Sequence, residues 1–403
     1  MRVVPLLLTA AVIATAAPGW AANAAANNQT LGWPHFRGPN RDGIATEKDA
    51  LAGLTSDGPK QAWKASLGTG FTSIAIANGM ALSSGNKDDQ DTVYCLDATT
   101  GKPAWTYSYP AKLDPNSYEG GPNATPAVAG SSVYVFAKDG TVVCLDFKSG
   151  KEAWKKNVAQ EVGAAPPGWG FSGSPTVIGN GLFLNLGHHG VCIDRQSGKV
   201  VWKSGGDKSG YATPIPVTGG KALLMFTSNS LSMVGAGDGQ VLWRHDWTTN
   251  YGVNSADPIV LGTQIFISTG YDYGCALLDF GASKPREIWR TKVMRNHFNA
   301  CVAIDGSLYG FDDSTLKCID WATGAQKWAQ GGLGKGSLIA ADGKLIILSE
   351  KGELVIADAA PGGFKELCRS QVLTGKCWTS PAIAGGRIYA RNAKGDLVCL
   401  AVK

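Results

Sequence analysis

Three short runs in this sequence bring together side chains that could bind a metal or carry out catalysis. Residues 188–192 read His-His-Gly-Val-Cys, and two imidazoles with a thiol are typical zinc ligands. Residues 88–91 contain three aspartates, which are the usual ligands of calcium. Residues 144–148 read Cys-Leu-Asp-Phe-Lys, a thiol, a carboxylate and an amine in close succession. Their meaning depends on the structural elements that contain them.

The third run belongs to a repeat that extends along nearly the whole chain. Residues 141–154 read Thr-Val-Val-Cys-Leu-Asp-Phe-Lys-Ser-Gly-Lys-Glu-Ala-Trp, and the same pattern returns about every 40–50 residues, as in propeller blades. The aligned tryptophans are Trp63, Trp105, Trp154, Trp202, Trp243, Trp289 and Trp328, with Leu367 in the same role in the next unit. In most units an Asp lies eight residues before the Trp and a Gly four residues before it. We therefore interpret the thiol, the carboxylate and the lysine as structural.

Each unit reads as four β-strands. In one unit the strands are predicted at 124–128, 132–136, 141–146 and 152–157. Asp139-Gly140 and Ser149-Gly150 separate them, and Gly adopts the positive φ that tight hairpin turns require. Four-stranded antiparallel units with this repeat length predict an all-β β-propeller.

The two ends of the chain predict how the propeller closes. The last unit ends after Cys399 without its outer, Trp-bearing strand, whereas Gln61 to Ala65 form a lone outer strand with Trp63. Pairing these pieces gives an eight-bladed propeller over residues 61–403 and removes two open strand edges. The alternative, seven blades, requires one repeat unit to be an insertion.

The segment before the repeat has two parts. Residues 1–24 combine Arg2, an apolar run and a small-residue cleavage site, which predicts a cleaved signal peptide. Residues 25–60 are rich in turn formers and predict an irregular lead-in across the propeller. We expect a periplasmic or secreted monomer without a membrane span. The net charge of +5 has no Lys/Arg block behind it, which argues against nucleic-acid binding.

The repeat also accounts for most of the apparent metal ligands. The cysteines at the repeat position are predicted to be buried thiols in third strands: Cys95, Cys144, Cys192 and Cys318. Cys368 and Cys377 flank a blade junction, and a disulfide between them stays an open alternative. His188 and His189 fill a hairpin turn, and residues 88–91 read as a solvated acidic loop. We predict no metal site.

The candidate ligand-binding residues lie where first strands begin around the central channel. The aligned starts are Ser73, Thr125, Ser174, Thr213, Asp257, Cys301, Ser337 and Ser380. Just before them come the candidates for a ligand-binding face: Asn123, Tyr211, Asn254, His297, Asn299, Lys335 and Trp378. Four long segments belong to the same face of the propeller: 84–91, 110–123, 159–172 and 290–299. Long irregular loops concentrated at one end predict that this end binds the ligand.

The motif D-x-x-[ST]-G-K-x-x-W, as in 146–154 and 194–202, resembles the tryptophan-docking repeat of the pyrroloquinoline-quinone (PQQ) propeller superfamily. The resemblance covers about 61–403 and includes BamB-type and bacterial PQQ-binding-like repeat proteins. It implies either a PQQ- and calcium-dependent dehydrogenase or a non-catalytic propeller. The chain departs from the dehydrogenases because it has no adjacent cysteines and no C-x-x-C-H haem motif. It departs from the lipoprotein BamB because no Cys closely follows the signal segment.

The sequence favours a non-catalytic binding or scaffold protein, without a cofactor, that recognises an envelope protein or a small ligand. In the alternative, a quinoprotein alcohol-type dehydrogenase with PQQ and calcium, Asp257 is the candidate base and Glu119, Asn254 and Trp378 the candidate cofactor-binding residues. A third hypothesis, a carbohydrate- or wall-binding propeller, rests on aromatic loop residues: Tyr118, Trp169 and Phe171.

Overall fold

The predicted propeller is present with all eight blades. The computed structural model describes residues 32–204, 206, 208–281 and 284–402, so the predicted signal segment 1–24 lies outside the described residues. Within these residues, 32 strands form eight four-stranded antiparallel sheets. The described part of the chain also contains one short α-helix, α1 (Val158–Val162), and a 3-10 turn (Thr218–Gly220).

The strands follow one another blade by blade. An outer strand comes first, β1 (Lys60–Ser66). Blade 1 consists of β2 (Ala75–Ala77), β3 (Met80–Lys87), β4 (Gln90–Asp97) and β5 (Pro103–Pro110). Blade 2 consists of β6 (Ala127–Ala129), β7 (Ser132–Phe136), β8 (Thr141–Asp146) and β9 (Glu152–Asn157). Blade 3 consists of β10 (Thr176–Ile178), β11 (Gly181–Leu184), β12 (Val191–Asp194) and β13 (Val200–Lys203). Blade 4 consists of β14 (Ile215–Val217), β15 (Ala222–Phe226), β16 (Ser230–Gly235) and β17 (Val241–Asp246).

The second half repeats the arrangement. Blade 5 consists of β18 (Ile259–Leu261), β19 (Gln264–Thr269), β20 (Gly274–Asp279) and β21 (Arg286–Thr291). Blade 6 consists of β22 (Val302–Ile304), β23 (Ser307–Asp312), β24 (Thr315–Asp320) and β25 (Gln326–Gln330). Blade 7 consists of β26 (Ser337–Ala341), β27 (Lys344–Leu348), β28 (Glu353–Asp358) and β29 (Glu366–Gln371). Blade 8 consists of β30 (Ala382–Ala384), β31 (Arg387–Arg391) and β32 (Asp396–Ala401), completed by β1.

The closure of the ring is confirmed. Strand β1 pairs antiparallel with β32, and Trp63 lies opposite Cys399. The strand prediction for blade 2 is also confirmed except in the first strand, where β6 starts at Ala127 instead of Ala124. Two local features shorten it: Pro126 has no N–H, and the N–H of Thr125 donates to Ser174 Oγ of the next blade.

The repeated Trp joins each blade to the next one. The indole N–H of Trp105 in blade 1 donates to the carbonyl oxygen of Phe147 in blade 2, at 2.9 Å. Gly150, in the same turn of blade 2, lies against the Trp105 ring, where a Cβ would come within 2.6 Å. Its φ of 69° also favours glycine. The indoles that donate in the same way are those of Trp63, Trp154, Trp202, Trp289 and Trp328.

The repeated Asp braces the turn that receives this Trp. Asp146 Oδ1 accepts hydrogen bonds from the backbone N–H and the hydroxyl of Ser149. The N–H of Gly150 donates to the Asp146 carbonyl oxygen. The two hydrogen bonds from Ser149 lower the pKa of the Asp146 carboxyl group, since they favour its charged form. Asp, Gly and Trp of the repeat are thus parts of one blade-to-blade joint.

Two blade junctions depart from the repeat. The indole N–H of Trp243 is buried and makes no hydrogen bond within the described part of the chain, and its ring packs beside Phe280. The predicted role of Leu367 is wrong, because Cys368 occupies the position of the Trp, opposite Ile356. Leu367 is the bulge residue just before Cys368, as Ala153 is just before Trp154. The turn between β28 and β29 is two residues longer than the turn between β8 and β9, so counting from the Asp misplaces the Trp position.

The lead-in crosses the mouth of the channel where first strands end. Trp33 exchanges two backbone hydrogen bonds with Ile76 of blade 1. Further along, Ala340 of blade 7 donates to the carbonyl oxygen of Gly43 and accepts from the N–H of Ala45. Between these two points Arg37 is buried and donates to the carbonyl oxygens of Ala300 and Cys301 at blade 6. The segment therefore spans the channel and closes this end.

The nine cysteines are all buried free thiols, and Cys368 and Cys377 form no disulfide. Cys95, Cys144, Cys192 and Cys318 lie in third strands, as predicted. Among the described residues, no helix is long and apolar enough to cross a membrane.

We predict that Trp154→Ala lowers the free energy of unfolding by about 3–5 kcal/mol, because it removes a large ring from the junction between blades 2 and 3. Trp154→Phe keeps most of the ring but loses the hydrogen bond to the Arg195 carbonyl oxygen, and should cost about 1 kcal/mol. Urea denaturation followed by circular dichroism measures both values. An unfolding curve of Trp154→Ala that coincides with the unsubstituted protein would disprove the role of the Trp.

Candidate functional site

A cavity of about 430 Å³ lies at the mouth of the channel opposite the closed end. We call it the mouth cavity. Its aromatic walls consist of Phe36, Phe71, Tyr118, Trp169, Tyr211, Tyr271, Phe298 and Trp378. Its polar residues include Asn123, Ser174, Thr213, Asp257, His297, Asn299, Lys335 and Ser380. The volume falls in the range of about 300–1,000 Å³ that is usual for small-molecule sites.

The first-strand starts form a ring below the cavity, which we call the inner ring (Ser73, Thr125, Ser174, Thr213, Asp257, Cys301, Ser337 and Ser380). Hydrogen bonds link its members in order from Ser73 to Asp257. The N–H of Ser73 donates to Thr125 Oγ1 at 2.9 Å, and the N–H of Thr125 donates to Ser174 Oγ at 2.9 Å. The N–H of Ser174 donates in turn to Thr213 Oγ1 at 3.3 Å. A small hydroxyl side chain at this position therefore links neighbouring blades.

Asp257 replaces the hydroxyl in blade 5. Its Oδ1 accepts the N–H of Thr213 at 2.7 Å, which continues the ring. Its Oδ2 is buried and makes no hydrogen bond within the described part of the chain. Burial raises the pKa of Asp257 to about 6, although the charges of Arg37 and Arg41 and the bond from Thr213 act in the opposite direction. Asp257 therefore brings to the cavity wall a buried carboxyl oxygen that has no hydrogen-bond partner among the described residues.

Lys335 and His297 form the main polar contact on another side of the cavity. Lys335 Nζ lies 2.9 Å from Asp313 Oδ1 and 3.1 Å from His297 Nδ1. Burial and the charge of Lys335 lower the pKa of His297 to about 4, so the imidazole is neutral at pH 7. Because an ammonium group can only donate, His297 Nδ1 must accept, and the proton of the neutral ring is on Nε2.

Seven rings form a continuous series across the mouth, which we call the aromatic belt. In order they are Tyr251, Tyr271, His297, Phe298, Trp378, Phe71 and Tyr118, with neighbouring centroids 4.6–6.1 Å apart. These distances are typical of packed aromatic pairs. Tyr251 is 68% exposed, so the belt begins at the outer rim and descends into the cavity.

Six of the seven residues predicted for the ligand-binding face line the mouth cavity: Asn123, Tyr211, His297, Asn299, Lys335 and Trp378. Asn254 lies behind the wall and is fully buried. Its amide nitrogen donates to the carbonyl oxygens of Thr227 and Trp247, and its Oδ1 accepts from Thr269 Oγ1. It therefore holds loops together.

Glu119 does not line the mouth cavity either, because its carboxylate pairs with Lys376 Nζ at 3.0 Å. Lys376 Nζ also lies 4.2 Å from the centre of the Trp378 ring. Trp378 donates its indole N–H to Glu350 Oε1 at 2.9 Å. Of the three residues named for a cofactor, only Trp378 lines the cavity, together with the candidate base Asp257.

Phe171 is buried against Phe136 and does not line the cavity, unlike Tyr118 and Trp169. The sequence prediction missed several belt and floor residues: Phe36, Phe71, Tyr251, Tyr271 and Phe298. Phe298 stands between two predicted candidates, and Phe71 two residues before an aligned strand start. That position was a usable signal. Phe36 comes from the lead-in, which no repeat alignment includes.

Neither of the two sequence runs that resemble metal ligands, 188–192 and 88–91, lies in the mouth cavity. His188 and His189 lie in the turn between β11 and β12, as predicted. Residues 84–91 form the end of the long β3–β4 hairpin rather than an irregular loop, and their prediction as a solvated acidic loop holds only in part. Asp88 and Asp89 are exposed at the tip, but Asp91 is buried and accepts from Asn86 Nδ2 at 2.7 Å.

Among the described residues, no group of three or more His, Cys, Asp or Glu side chains could hold a metal ion. The donor set that a calcium-quinone site would use is dispersed: Glu119 is paired with Lys376, and Asn254 is hydrogen-bonded inside the wall. The residues present do not fit a calcium-bound quinone.

The chain is similar to known proteins in both sequence pattern and fold. A family model described as "Outer membrane protein assembly factor BamB" matches residues 114–330 and 312–403. A comparison with curated protein sequences finds no match.

Two kinds of solved structure share the fold. BamB from Moraxella catarrhalis has 15% sequence identity and a TM-score of 0.63, over 85% of this chain and 97% of that one. Quinohemoprotein alcohol dehydrogenase from Comamonas testosteroni has 14% identity and a TM-score of 0.71, over 95% of this chain and 82% of that one. A europium-containing methanol dehydrogenase has 12% identity and a TM-score of 0.68, over 89% of each chain. At these identities the likeness shows the fold alone.

The raised pKa of Asp257 predicts a specific pH dependence of stability. The folded chain binds this proton more tightly (pKa about 6) than an unfolded chain does (about 3.9), so the contribution is full below pH 4. It is lost as the pH rises through 6. The unfolding free energy of the unsubstituted protein minus that of Asp257→Asn should fall by up to about 3 kcal/mol between pH 4 and 7.

Urea denaturation at pH 4, 5, 6 and 7 tests this prediction. Asp238→Asn, on an exposed turn, serves as the control and should show no such fall. A difference between the unsubstituted protein and Asp257→Asn that stays constant over this range would contradict the environment described for Asp257.

Proposed function

The chain belongs to the PQQ-like β-propeller family described by the outer membrane protein assembly factor BamB, and we propose that it is a non-catalytic, extracytoplasmic binding or scaffold protein. Its ligand, an envelope protein segment or a small molecule, would bind in the mouth cavity and on the loops around it. The predicted signal segment 1–24 supports an extracytoplasmic location.

The mouth cavity is the observation that carries this proposal. A propeller channel is normally open at both ends, but here the lead-in crosses one end and Phe36 lines the cavity. Aromatic residues surround the space, and a few polar groups point to it from defined positions. Concave, mostly aromatic sites with a small number of fixed polar groups are typical of ligand binding.

The chemistry of the cavity supports binding rather than catalysis. The Asp257 carboxyl belongs to the inner ring through its bond from Thr213, and His297 Nδ1 is occupied by Lys335. The thiol of Cys301 is buried at the inner ring, and burial raises its pKa to about 12, so it stays protonated and a poor nucleophile at pH 7. Arranged in this way, these groups hold the walls in place.

The alternative, a PQQ- and calcium-dependent dehydrogenase, predicts a different result with the same protein. When purified protein is mixed with PQQ and CaCl2 and then desalted, we expect no stoichiometric retention of quinone and no dye-linked oxidation of alcohols. Quinone absorbance that coelutes with the protein, together with turnover, would overturn the proposed function. Trp378→Ala is the matched control, because quinone held in the cavity should be lost from that variant.

Binding at the mouth cavity predicts that a substitution there weakens capture of the natural ligand. Phe298→Ala removes a ring packed 4.8 Å from the Trp378 ring and should reduce capture from envelope extract by roughly tenfold. The control is Leu242→Ala, on the outer strand of blade 4, where Leu242 is 47% exposed. Equal capture by the unsubstituted protein and Phe298→Ala would contradict a binding role of the cavity.

A further inference from the structure

We propose that the mouth cavity binds the end of a neutral carbohydrate chain, and that the following sugar units lie over Tyr271 and Tyr251 at the rim. This inference rests on the proposed binding function and names its ligand class. It follows from three properties of the site: its charge balance, the directions of its hydrogen-bonding atoms, and the course of the aromatic belt.

The charge balance favours a neutral ligand. Two side chains with formal charges line the cavity, Lys335 and Asp257, and each already has an opposite charge beside it. Lys335 Nζ is 2.9 Å from Asp313 Oδ1, and Asp257 is influenced by Arg37 and Arg41. An anionic ligand in the cavity would be repelled by the carboxylate of Asp257, and a cationic ligand would be repelled by the ammonium group of Lys335. In a largely apolar cavity neither ion would find a free counter-charge, and desolvating it would be unfavourable.

The hydrogen-bonding atoms match hydroxyl groups, which both donate and accept. Asn299 Nδ2 donates to the carbonyl oxygens of Gly336 and Trp378, so both of its hydrogens are used and its Oδ1 remains for a ligand. Asp257 Oδ2 is a second, buried acceptor. His297 carries its proton on Nε2, since Nδ1 accepts from Lys335, and this N–H is a donor. Fixed acceptors beside a fixed donor suit a ligand with several hydroxyls.

The aromatic belt matches the apolar faces of sugar rings. A sugar has equatorial hydroxyls around its edge and C–H groups on its faces, so aromatic side chains can cover the faces while polar groups bind the edge. Trp378 and Phe298, with centroids 4.8 Å apart, lie in the cavity beside Asn299. Tyr271 continues the belt outward to Tyr251, with a centroid distance of 5.1 Å.

The position of Tyr251 indicates a ligand longer than the cavity. Tyr251 is 68% exposed, so much of its aromatic ring is in contact with water. The aromatic belt connects this ring to the cavity through Tyr271. A single sugar in the cavity would not reach this ring. A chain of sugars would cover the Tyr251 ring, whereas a small compact molecule in the cavity would not. A protein segment is the other class of ligand for the same cavity, and the experiment tells the two apart.

The experiment is isothermal titration calorimetry of the full mature chain with defined saccharides. The probes are glucose, maltose and maltotetraose, and N-acetylglucosamine with its di- and tetrasaccharides. We expect at least one series to bind, with affinity that increases with chain length. Benzyltrimethylammonium and 2-naphthoate are the charged aromatic probes, and each should bind more weakly than the tetrasaccharide of the binding series.

The variants separate the rim from the cavity. Tyr251→Ala should weaken binding of the tetrasaccharide by roughly 3- to 10-fold, the range of one aromatic contact, and leave the monosaccharide unchanged. Asn299→Ala should weaken every saccharide of the series, with folding verified by circular dichroism. Leu242→Ala, distant from the mouth on β17, should bind as the unsubstituted protein does.

The inference is overturned by any of three results. These are no saccharide binding at 10 mM probe (roughly the weak limit of specific recognition), affinity independent of both chain length and Tyr251, or tighter binding of a charged probe. If saccharides fail but Phe298→Ala still loses a ligand from envelope extract, the carbohydrate class is wrong and the binding function stands. If that loss is also absent, the proposed function fails as well.

Discussion

The joint between one blade and the next is the interaction on which the rest of the structure depends. Each blade alone is a four-stranded sheet with two apolar faces, and it becomes stable when both faces are covered. At most junctions an indole N–H donates to a backbone carbonyl of the next blade, and the ring lies on a glycine with positive φ. The bond gives the junction a fixed direction, and the glycine permits a close approach. Since Trp63 makes the same bond to the Ala98 carbonyl, the first and last blades are joined like the others.

This joint uses the outer strands and the turns beside them, so it leaves the inner ends of the blades available for function. The inner ring needs only a small acceptor at each position, which Thr125 and Ser174 supply. A carboxylate also satisfies the ring through one oxygen, as Asp257 does through Oδ1, and its second oxygen is then left without a partner among the described residues. Similarly, the segments before the strands can vary in length and composition because no blade joint includes them. Most aromatic residues of the mouth cavity come from these segments, whereas Phe36 comes from the lead-in.

The sequence predicted the fold well because the repeat states the same local rule many times. Asp, Gly and Trp at fixed spacing gave the repeat, the hairpin-turn glycines gave the four strands of a unit, and the missing last strand gave the closure. The prediction failed where local chemistry replaced the rule. Pro126 and the hydrogen bond from Thr125 to Ser174 shortened β6, and a longer turn between β28 and β29 moved the Trp position from Leu367 to Cys368. Most residues predicted for the ligand-binding face from strand starts line the mouth cavity, but Asn254 shows the limit of that method. An amide beside the channel can as easily hold a loop as face a ligand, and only its partners decide.

Apart from Cys368 in blade 7, several departures from the repeat lie around blades 5 and 6. There the inner ring changes from hydroxyl to carboxyl at Asp257, and at Cys301 the lead-in reaches the ring through Arg37. The junction between blades 4 and 5 lacks the Trp243 hydrogen bond within the described residues. Arg290 and Trp247 stabilise this region in a different way, with the guanidinium 4.3 Å from the ring centre and the indole N–H bonded to Thr269 Oγ1. The outer part of the aromatic belt, Tyr251 to His297, belongs to the same sector. Closure of the propeller alone does not require these changes in the inner ring, in the junction between blades 4 and 5 and in the aromatic surface. The three changes lie in the sector where we propose that the propeller binds its ligand.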